Sequence, residues 1–482
     1  MAPATTARGT ALLVFSKALF LAGSVVIHVF LGRSLGPGGY GLYGLAISIL
    51  LWFEVVVNSA VPWAVSKVIS EKKILARTVF RQGTFLQLGF SAAVLILFVV
   101  LSPFLARVFG DPAVKILLWW AALDIPFFAL LSICLTYFNG LQQFGRQGIV
   151  SICRIFFKVA ATMLLVTYGL SVRGALLGNI LGSALALLVG LYLLNLPRPS
   201  EHRVRLIERV LSFGIPYTLF LLCAQLLLSV DLWSVKILLK QATITGFYTS
   251  AQTISRVPYF LFLGLTTALF PALSKSTSSN QSEVSRIQIG QAMRLLAIVL
   301  LPAGAIVSSA PGPIVRLFFG IHFSPAIFPL AVLIWGMILF TVYTTLAMIL
   351  SVAGRPVAVL GYSLFLILVD VLLNAILVPR IGLLGAALAT TITGLLGVII
   401  LGGAVFRKFR VLIGWPSVVK MVCAAVMLFG LSRLIPLQGA LFVLKGVFLF
   451  ALYLGCLVLL KEVDQEDFRR IRDLWPAFSG DA

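Results

Sequence analysis

The chain has 482 residues, 60% of them hydrophobic and only 11% charged, with 37 Lys and Arg against 15 Asp and Glu and a formal charge of +22. A membrane helix takes about 20 mostly apolar residues, so this composition corresponds to roughly fourteen spans and excludes a sizeable soluble domain. In a soluble protein such a charge would suggest nucleic acid; in a chain this apolar the excess belongs in the connections between spans, and no nucleic-acid partner is expected.

Apolar runs bounded by Gly, Pro and charge predict spans near 11 to 31, 40 to 65, 82 to 105, 113 to 138, 147 to 168 and 173 to 195. A Pro- and Arg-rich break, Pro197 to Arg209, separates these from spans near 210 to 235, 243 to 272, 290 to 309, 325 to 350, 356 to 378, 381 to 405, 411 to 433 and 438 to 460. Arg8 before the first run imitates a secretory signal, but Gly32-Arg33-Ser34-Leu35-Gly36-Pro37 offers no small-residue cleavage site, so the run reads as the first helix. Of the basic residues, 22 fall at the N-terminus, in the even-numbered connections and in the tail, nine in the odd connections and six within spans. The positive-inside rule therefore places both termini in the cytoplasm, on a multi-pass protein of the cell membrane. The five cysteines, Cys134, Cys153, Cys223, Cys423 and Cys456, fall within spans without paired spacing and read as buried, inert thiols.

The first six spans recur in the next six. Gly41-Leu42-Tyr43 with Ala46 returns as Gly246-Phe247-Tyr248 with Ala251, 205 residues on, and Ala64-Val65-Ser66-Lys67 as Ala272-Leu273-Ser274-Lys275, 208 on. Arg107-Val108-Phe109 returns as Arg316-Leu317-Phe318, Gly145-Arg146 as Gly354-Arg355, and Gly174-Ala175 with Leu177 as Gly385-Ala386 with Leu388, at offsets of 209, 209 and 211. An even number of spans per copy gives both copies one orientation, related by a pseudo-two-fold axis along the membrane normal with a cleft between two lobes. The predicted architecture is an all-α integral membrane protein of about 14 transmembrane helices: lobes over 1–205 and 206–410, two more helices over 411–460, and a cytoplasmic tail over 461–482. The sixth span repeats Gly174, Gly178, Gly182, Ala186 and Gly190 every four residues, answered in the twelfth by Gly385, Ala389, Thr393 and Gly397, a stripe that lets helices pack closely. Pro126, Pro216, Pro258 and Pro302 lie inside spans, where they kink helices.

Leu31-Gly32-Arg33-Ser34-Leu35-Gly36-Pro37 followed by Tyr40-Gly41-Leu42-Tyr43, the stretch Pro62 to Glu71, Leu269-Phe270-Pro271-Ala272-Leu273-Ser274-Lys275, and Asn374 before Pro379-Arg380-Ile381-Gly382 together resemble polysaccharide-biosynthesis flippases, O-antigen or sporulation type. The resemblance runs from about residue 10 to 460 and implies the multidrug/oligosaccharidyl-lipid/polysaccharide exporter superfamily, with its two-lobed fold shared with multidrug (MATE-type) exporters. It further implies a substrate of pyrophosphate-linked lipid oligosaccharide carried across the cytoplasmic membrane by alternating access. The surrounding lipids and the glycosyltransferases or polymerase of the same route are its implied partners, and the protein itself is a monomer. Lipid II flippases carry a more Arg-rich beginning, and multidrug members generally have twelve spans, so these branches are alternatives.

Ionisable groups at membrane depth are costly unless they face protein or water, which makes them functional candidates. Arg256, about 14 residues from either end of the eighth span, lies near the midplane, and Glu54 with Asn58 sits mid-span in the second, where Glu54 is a candidate to pair with it. Lys17 is about 9 Å inside the first span, close enough to snorkel to phosphates. Arg154 and Lys158 share a face of the fifth span and repel unless something anionic or water-filled meets them. Gln225 and Gln252 are donors for sugar hydroxyls or for neighbouring helices. Asp124, Asp231 and Asp370 are candidates for ion coupling or charge pairing, Asp370 being the approximate repeat counterpart of Lys158. Scattered His28, His202 and His322, no His-Glu-x-x-His, no phosphate-cradling loop and no long loop mean that no enzyme activity, metal or cofactor is expected. Two readings compete with a saccharide flippase: a cation-coupled drug exporter, which calls for acidic residues dominating the cleft, and a membrane glycosyltransferase or scaffold, disfavoured by the short loops and the buried charges.

Overall fold

A backbone crossing hydrocarbon must satisfy its own hydrogen bonds, and long apolar runs do so as helices. The computed structural model describes residues 3–196, 206–210, 215–262, 282–411, 414–435, 441–460 and 462, and every regular element among them is helical. The Pro197 to Arg205 connection, the 269–275 motif and the tail from residue 463 lie outside the described residues. Nine segments among the described residues are long and apolar enough to cross a membrane, or ten if a bent pair is one span. Two of the nine, Phe15–Glu71 and Phe144–Tyr192, run to 57 and 49 residues. At 1.5 Å per residue each is between two and three times as long as a bilayer of about 30 Å requires.

The chain divides into two compact units between Ser229 and Val230. The first unit begins with α1 (Pro3–Glu71), interrupted at Gly36 with φ 65° and ψ 179°. Only glycine enters that region without strain, and Pro37 after it also disfavours helical geometry, so the first two predicted spans part where the sequence placed their boundary. Next come α2 (Ala76–Val108), α3 (Pro112–Ala122) and α4 (Asp124–Gly140). Asp111 caps α3, accepting from the Ala113 amide at 3.1 Å, with Pro112 in the first turn. The fourth predicted span is thus two helices broken at Leu123, one residue before Asp124. A π-turn over Val166–Leu170, with Gly169 at φ 89°, joins α5 (Phe144–Leu165) to α6 (Ser171–Tyr192). The short α7 (Leu206–Arg209) and α8 (Ile215–Leu227) complete the unit. Its apolar core gathers Val65, Val79, Leu131, Tyr137 and Phe138 around Ala186.

The small-residue stripe of α6 meets α5 directly. A Cβ on Gly182 would lie 2.7 Å from the Lys158 Cβ, and one on Gly178 would lie 2.7 Å from the Thr162 backbone. The close approach therefore has no room for larger residues, and it fixes the α5 side chains that carry charge.

The second unit contains α9 (Val230–Leu239), α10 (Ala242–Ser255), α11 (Ser282–Ser309), α12 (Pro311–Phe319), α13 (Ile327–Val352), α14 (Pro356–Ile381) and α15 (Leu383–Phe409). Here α13 and α15 approach at small residues: a Cβ on Gly394 would lie 3.3 Å from the Gly336 carbonyl. Residues Leu221–Leu227 and Val230–Leu239 form the bent pair, at 45°, so the bend falls at Leu228 and Ser229, well past Pro216. From α10 the eighth span runs through Arg256, whose N–H bonds the Gln252 carbonyl and whose carbonyl accepts from Phe260, both at 3.1 Å, into a helical stretch over 257–262; Pro258, which lacks a backbone N–H, lies two residues past Arg256. The last helices, α16 (Trp415–Leu434) and α17 (Leu441–Leu459), pack on α11 through Met421, Leu428, Leu449, Tyr453 and Leu457. Cys134 and Cys223 are buried as expected, but Cys423 is exposed on α16 and Cys153 and Cys456 are half-buried, because outward-facing positions of these helices are apolar without being enclosed by protein. All five thiols are free.

Gly182→Val should lower stability by about 1–3 kcal/mol through overpacking. Gly89→Val in α2, where nothing lies within 4 Å of the added carbon, should leave it unchanged. Melting of the detergent-purified variants measures both.

Candidate functional site

Each unit holds a cluster of buried polar side chains. In the first, Glu54 of α1, Asp124 at the start of α4, Arg154 and Lys158 of α5 and Asn179 of α6 share one electrostatic neighbourhood. Asp124 is completely buried and its Oδ2 accepts from Asn179 Nδ2 at 2.7 Å, while Glu54 is 8% exposed. Lys158 and Arg154 are half-buried. The Arg154 guanidinium lies over the Phe128 ring, 4.4 Å from its centroid, a cation–π arrangement that fixes its plane.

A polar belt lies along α1 one turn further on. Asn58 Oδ1 accepts from Ser132 Oγ at 2.6 Å, the Val57 carbonyl accepts from Gln87 Nε2 at 2.9 Å, and Ser59 Oγ lies 2.8 Å from Thr218 Oγ1. Three consecutive positions thereby tie α1 to α4, α2 and α8. Asn58 is thus committed to an interhelical bond, and Gln225 of α8 reaches Ser229 Oγ at 3.5 Å.

In the second unit the Asp231 carboxylate collects four donors: Tyr248 Oη at 2.8 Å, Gln252 Nε2 at 2.9 Å, the Leu232 amide at 2.8 Å and Thr390 Oγ1 at 3.4 Å. Asp370 of α14 accepts through Oδ1 from Thr393 at 3.2 Å and from Asn374 at 3.3 Å, and interacts with Asp231. Arg256 acts electrostatically on Asp231 and Tyr259. Among the described residues no three His, Cys, Asp or Glu side chains converge on a point.

The candidates therefore sort differently from the sequence reading. Within its own unit Glu54 neighbours the cations Arg154 and Lys158 of α5 and the acid Asp124 of α4, and Arg256 neighbours Asp231 of α9. Gln252 is taken up by Asp231. Lys17 is exposed on α1, apart from the cluster, as snorkelling requires. Asp124 neighbours cations as expected, whereas the interactions of Asp370 are with Asp231, Thr393 and Asn374. The residues missed are Asn179, Tyr248, Thr390 and Thr393 as ligand-bearing positions. A signal existed: Asn179 and Thr390 are 211 apart, the repeat offset, and each bonds a buried aspartate beside the small-residue stripe.

A wholly helical, multi-pass membrane protein with two internally similar halves and charges held at depth belongs to the transporter class. Residues 7–277 match the model for the polysaccharide biosynthesis protein family, and the chain belongs to that family. A probable low-salt glycan biosynthesis flippase, Agl15 of Haloferax volcanii, is 22% identical over 96% of this chain and 98% of its own. Stage V sporulation protein B of Bacillus subtilis is 24% identical over 85% of each. The solved structure of a lipid II flippase, MurJ, in an inward closed conformation superposes with a TM-score of 0.73 at 18% identity, over 92% of this chain and 97% of that one, which establishes the shared fold.

Tyr248→Phe removes a buried donor to Asp231 without changing shape and should cost about 1–3 kcal/mol in detergent melting. Tyr343→Phe should cost less, since its partner Ser363 Oγ also bonds the Val359 carbonyl at 2.8 Å.

Proposed function

We propose that this protein is a flippase that carries a lipid-linked oligosaccharide across the cytoplasmic membrane, with both termini in the cytoplasm. Family membership supports a role in polysaccharide biosynthesis, and two similar proteins bear the name flippase. The observation that carries the reading is Arg256, a cation near the middle of the eighth predicted span, two residues before Pro258. A cation kept at that depth marks a place where an anionic ligand can be met. The guanidinium matches the paired oxygens of a pyrophosphate, while the lipid tail stays in hydrocarbon. Movement is by alternating access. The chain transports its substrate and performs no chemistry on it, acts as a monomer, and receives its cargo from membrane glycosyltransferases.

The driving force comes from a cation held by the Asp231 and Asp370 set. That reading rests on Asp370 Oδ2 and Asn374 Oδ1, buried oxygens with no hydrogen-bond partner among the described residues. Oxygen donors of this kind suit a hard cation. A drug exporter is the weaker reading, since the first unit offers two cations for its two acids.

Arg256→Ala, inserted normally in the membrane, should abolish saccharide export in a complementation assay, and export at the parental rate would refute the headgroup role. Asp370→Asn should make residual export insensitive to an imposed sodium or proton gradient; export that still tracks the gradient would move the coupling site elsewhere.

A further inference from the structure

We infer that Arg154 and Lys158 form a second oxyanion site, inside the first unit and separate from Arg256, which takes the carboxylate or phosphate of an acidic substituent on the transported saccharide. This rests on the flippase reading and narrows its substrate class to glycans that carry negative charge beyond the pyrophosphate link. Three observations meet here. The two cations sit one turn apart on α5, where they repel each other. Lys158 has no partner within hydrogen-bond or ion-pair distance among the described residues, and the buried Arg154 Nε has none either. The two carboxylates that offset this repulsion, Glu54 and Asp124, lie deeper than the cations and form no ion pair with them, and Asp124 is already held by Asn179.

The two acids are more deeply buried than the two cations, whose side chains keep part of their surface exposed. The acids make it tolerable to keep two cations at depth. Because Coulomb energy falls as 1/r, an oxyanion in hydrogen-bond contact with both cations gains more from them than it loses to carboxylates beyond ion-pair range. Stacking on Phe128 occupies the face of the Arg154 guanidinium and leaves its edge for a planar carboxylate or a phosphate, through the terminal nitrogens, since Nε is buried. Close packing of Gly182 against the Lys158 Cβ fixes where the ammonium starts from. An ordinary structural salt bridge would instead have closed one cation onto one acid.

The test is binding of three probes to the full chain in detergent by calorimetry: sodium glucuronate, inorganic pyrophosphate and uncharged glucose. Wild type should bind at least one anion and bind glucose more weakly. The R154Q/K158Q pair should weaken anion binding about tenfold or more, and Lys158→Arg should retain it. Glucuronate as the preferred probe identifies an acidic sugar as the source; pyrophosphate identifies a phosphate. Unaltered melting of the ligand-free double variant separates lost binding from lost folding; if it melts early, Lys158→Met is read in its place. Unchanged anion affinity in the folded variant, or no anion binding by wild type, overturns the site. Those failures leave the flippase reading untouched, because that stands or falls on export by Arg256→Ala.

Discussion

The constraint on which the structure depends is that hydrocarbon offers no hydrogen bonds. Every backbone break and every charge placed within the spans needs a partner supplied by another helix. The first unit shows the response at its most concentrated: residues 57 to 59 of α1 are bonded in turn to α2, α4 and α8, and one turn earlier Glu54 enters the group formed by Asp124, Arg154 and Lys158. Such a lattice is specific as well as stabilising, since sliding α1 by one residue would orphan three partners at once.

The two units meet the same constraint with opposite chemistry. Lys158 on α5 faces Gly182 of α6; at the corresponding place in the repeat, Asp370 on α14 faces Thr393 of α15. Where the first unit has a long cation and the neighbour must shrink to glycine, the second has a short acid and the neighbour supplies a hydroxyl. Size and charge have changed together, so a duplicated scaffold has kept its helix packing while diverging in what it presents. Asn179 and Thr390 hold their aspartates from equivalent positions, although the aspartates come from α4 in one unit and α9 in the other.

Much of this was legible in the sequence. Apolar run length gave a helical, multi-pass membrane protein, Gly36 followed by Pro37 gave the first break, and the stripe in α6 gave a close contact with α5. What was illegible depended on direction. Periodicity places Glu54, Asp124 and Arg154 in three separate helices but does not say which way each faces, so their meeting in one cluster was not legible. The break at Leu123 carries no glycine and no adjacent proline, and nothing local announces it. Thr393 was visible only as a small residue in a packing stripe, because a threonine hydroxyl becomes a ligand only when an acid faces it.

The six basic residues within predicted spans were equal candidates by composition, and packing separates them. Lys445 donates to the Ile435 carbonyl at 2.7 Å and also to that of Ser432, closing the end of α16. Lys420 donates to the Leu460 carbonyl at 3.1 Å and pairs at 3.5 Å with Glu462, whose other oxygen lies 3.7 Å from Arg294 of α11. These two lysines fasten the last two helices to each other, and Arg294 ties Glu462 to α11. Lys17 is exposed near the start of the apolar Phe15–Glu71 segment, where its head can reach phosphates. Arg256 lies just past α10 with Asp231 as its electrostatic neighbour. Arg154 and Lys158 remain, within the influence of Glu54 and Asp124 but closed onto neither, at a place where a simple salt bridge would have been easy to evolve. Keeping two cations in that condition is costly in an apolar medium, and a cost of that kind persists where an anion of the substrate repeatedly offsets it.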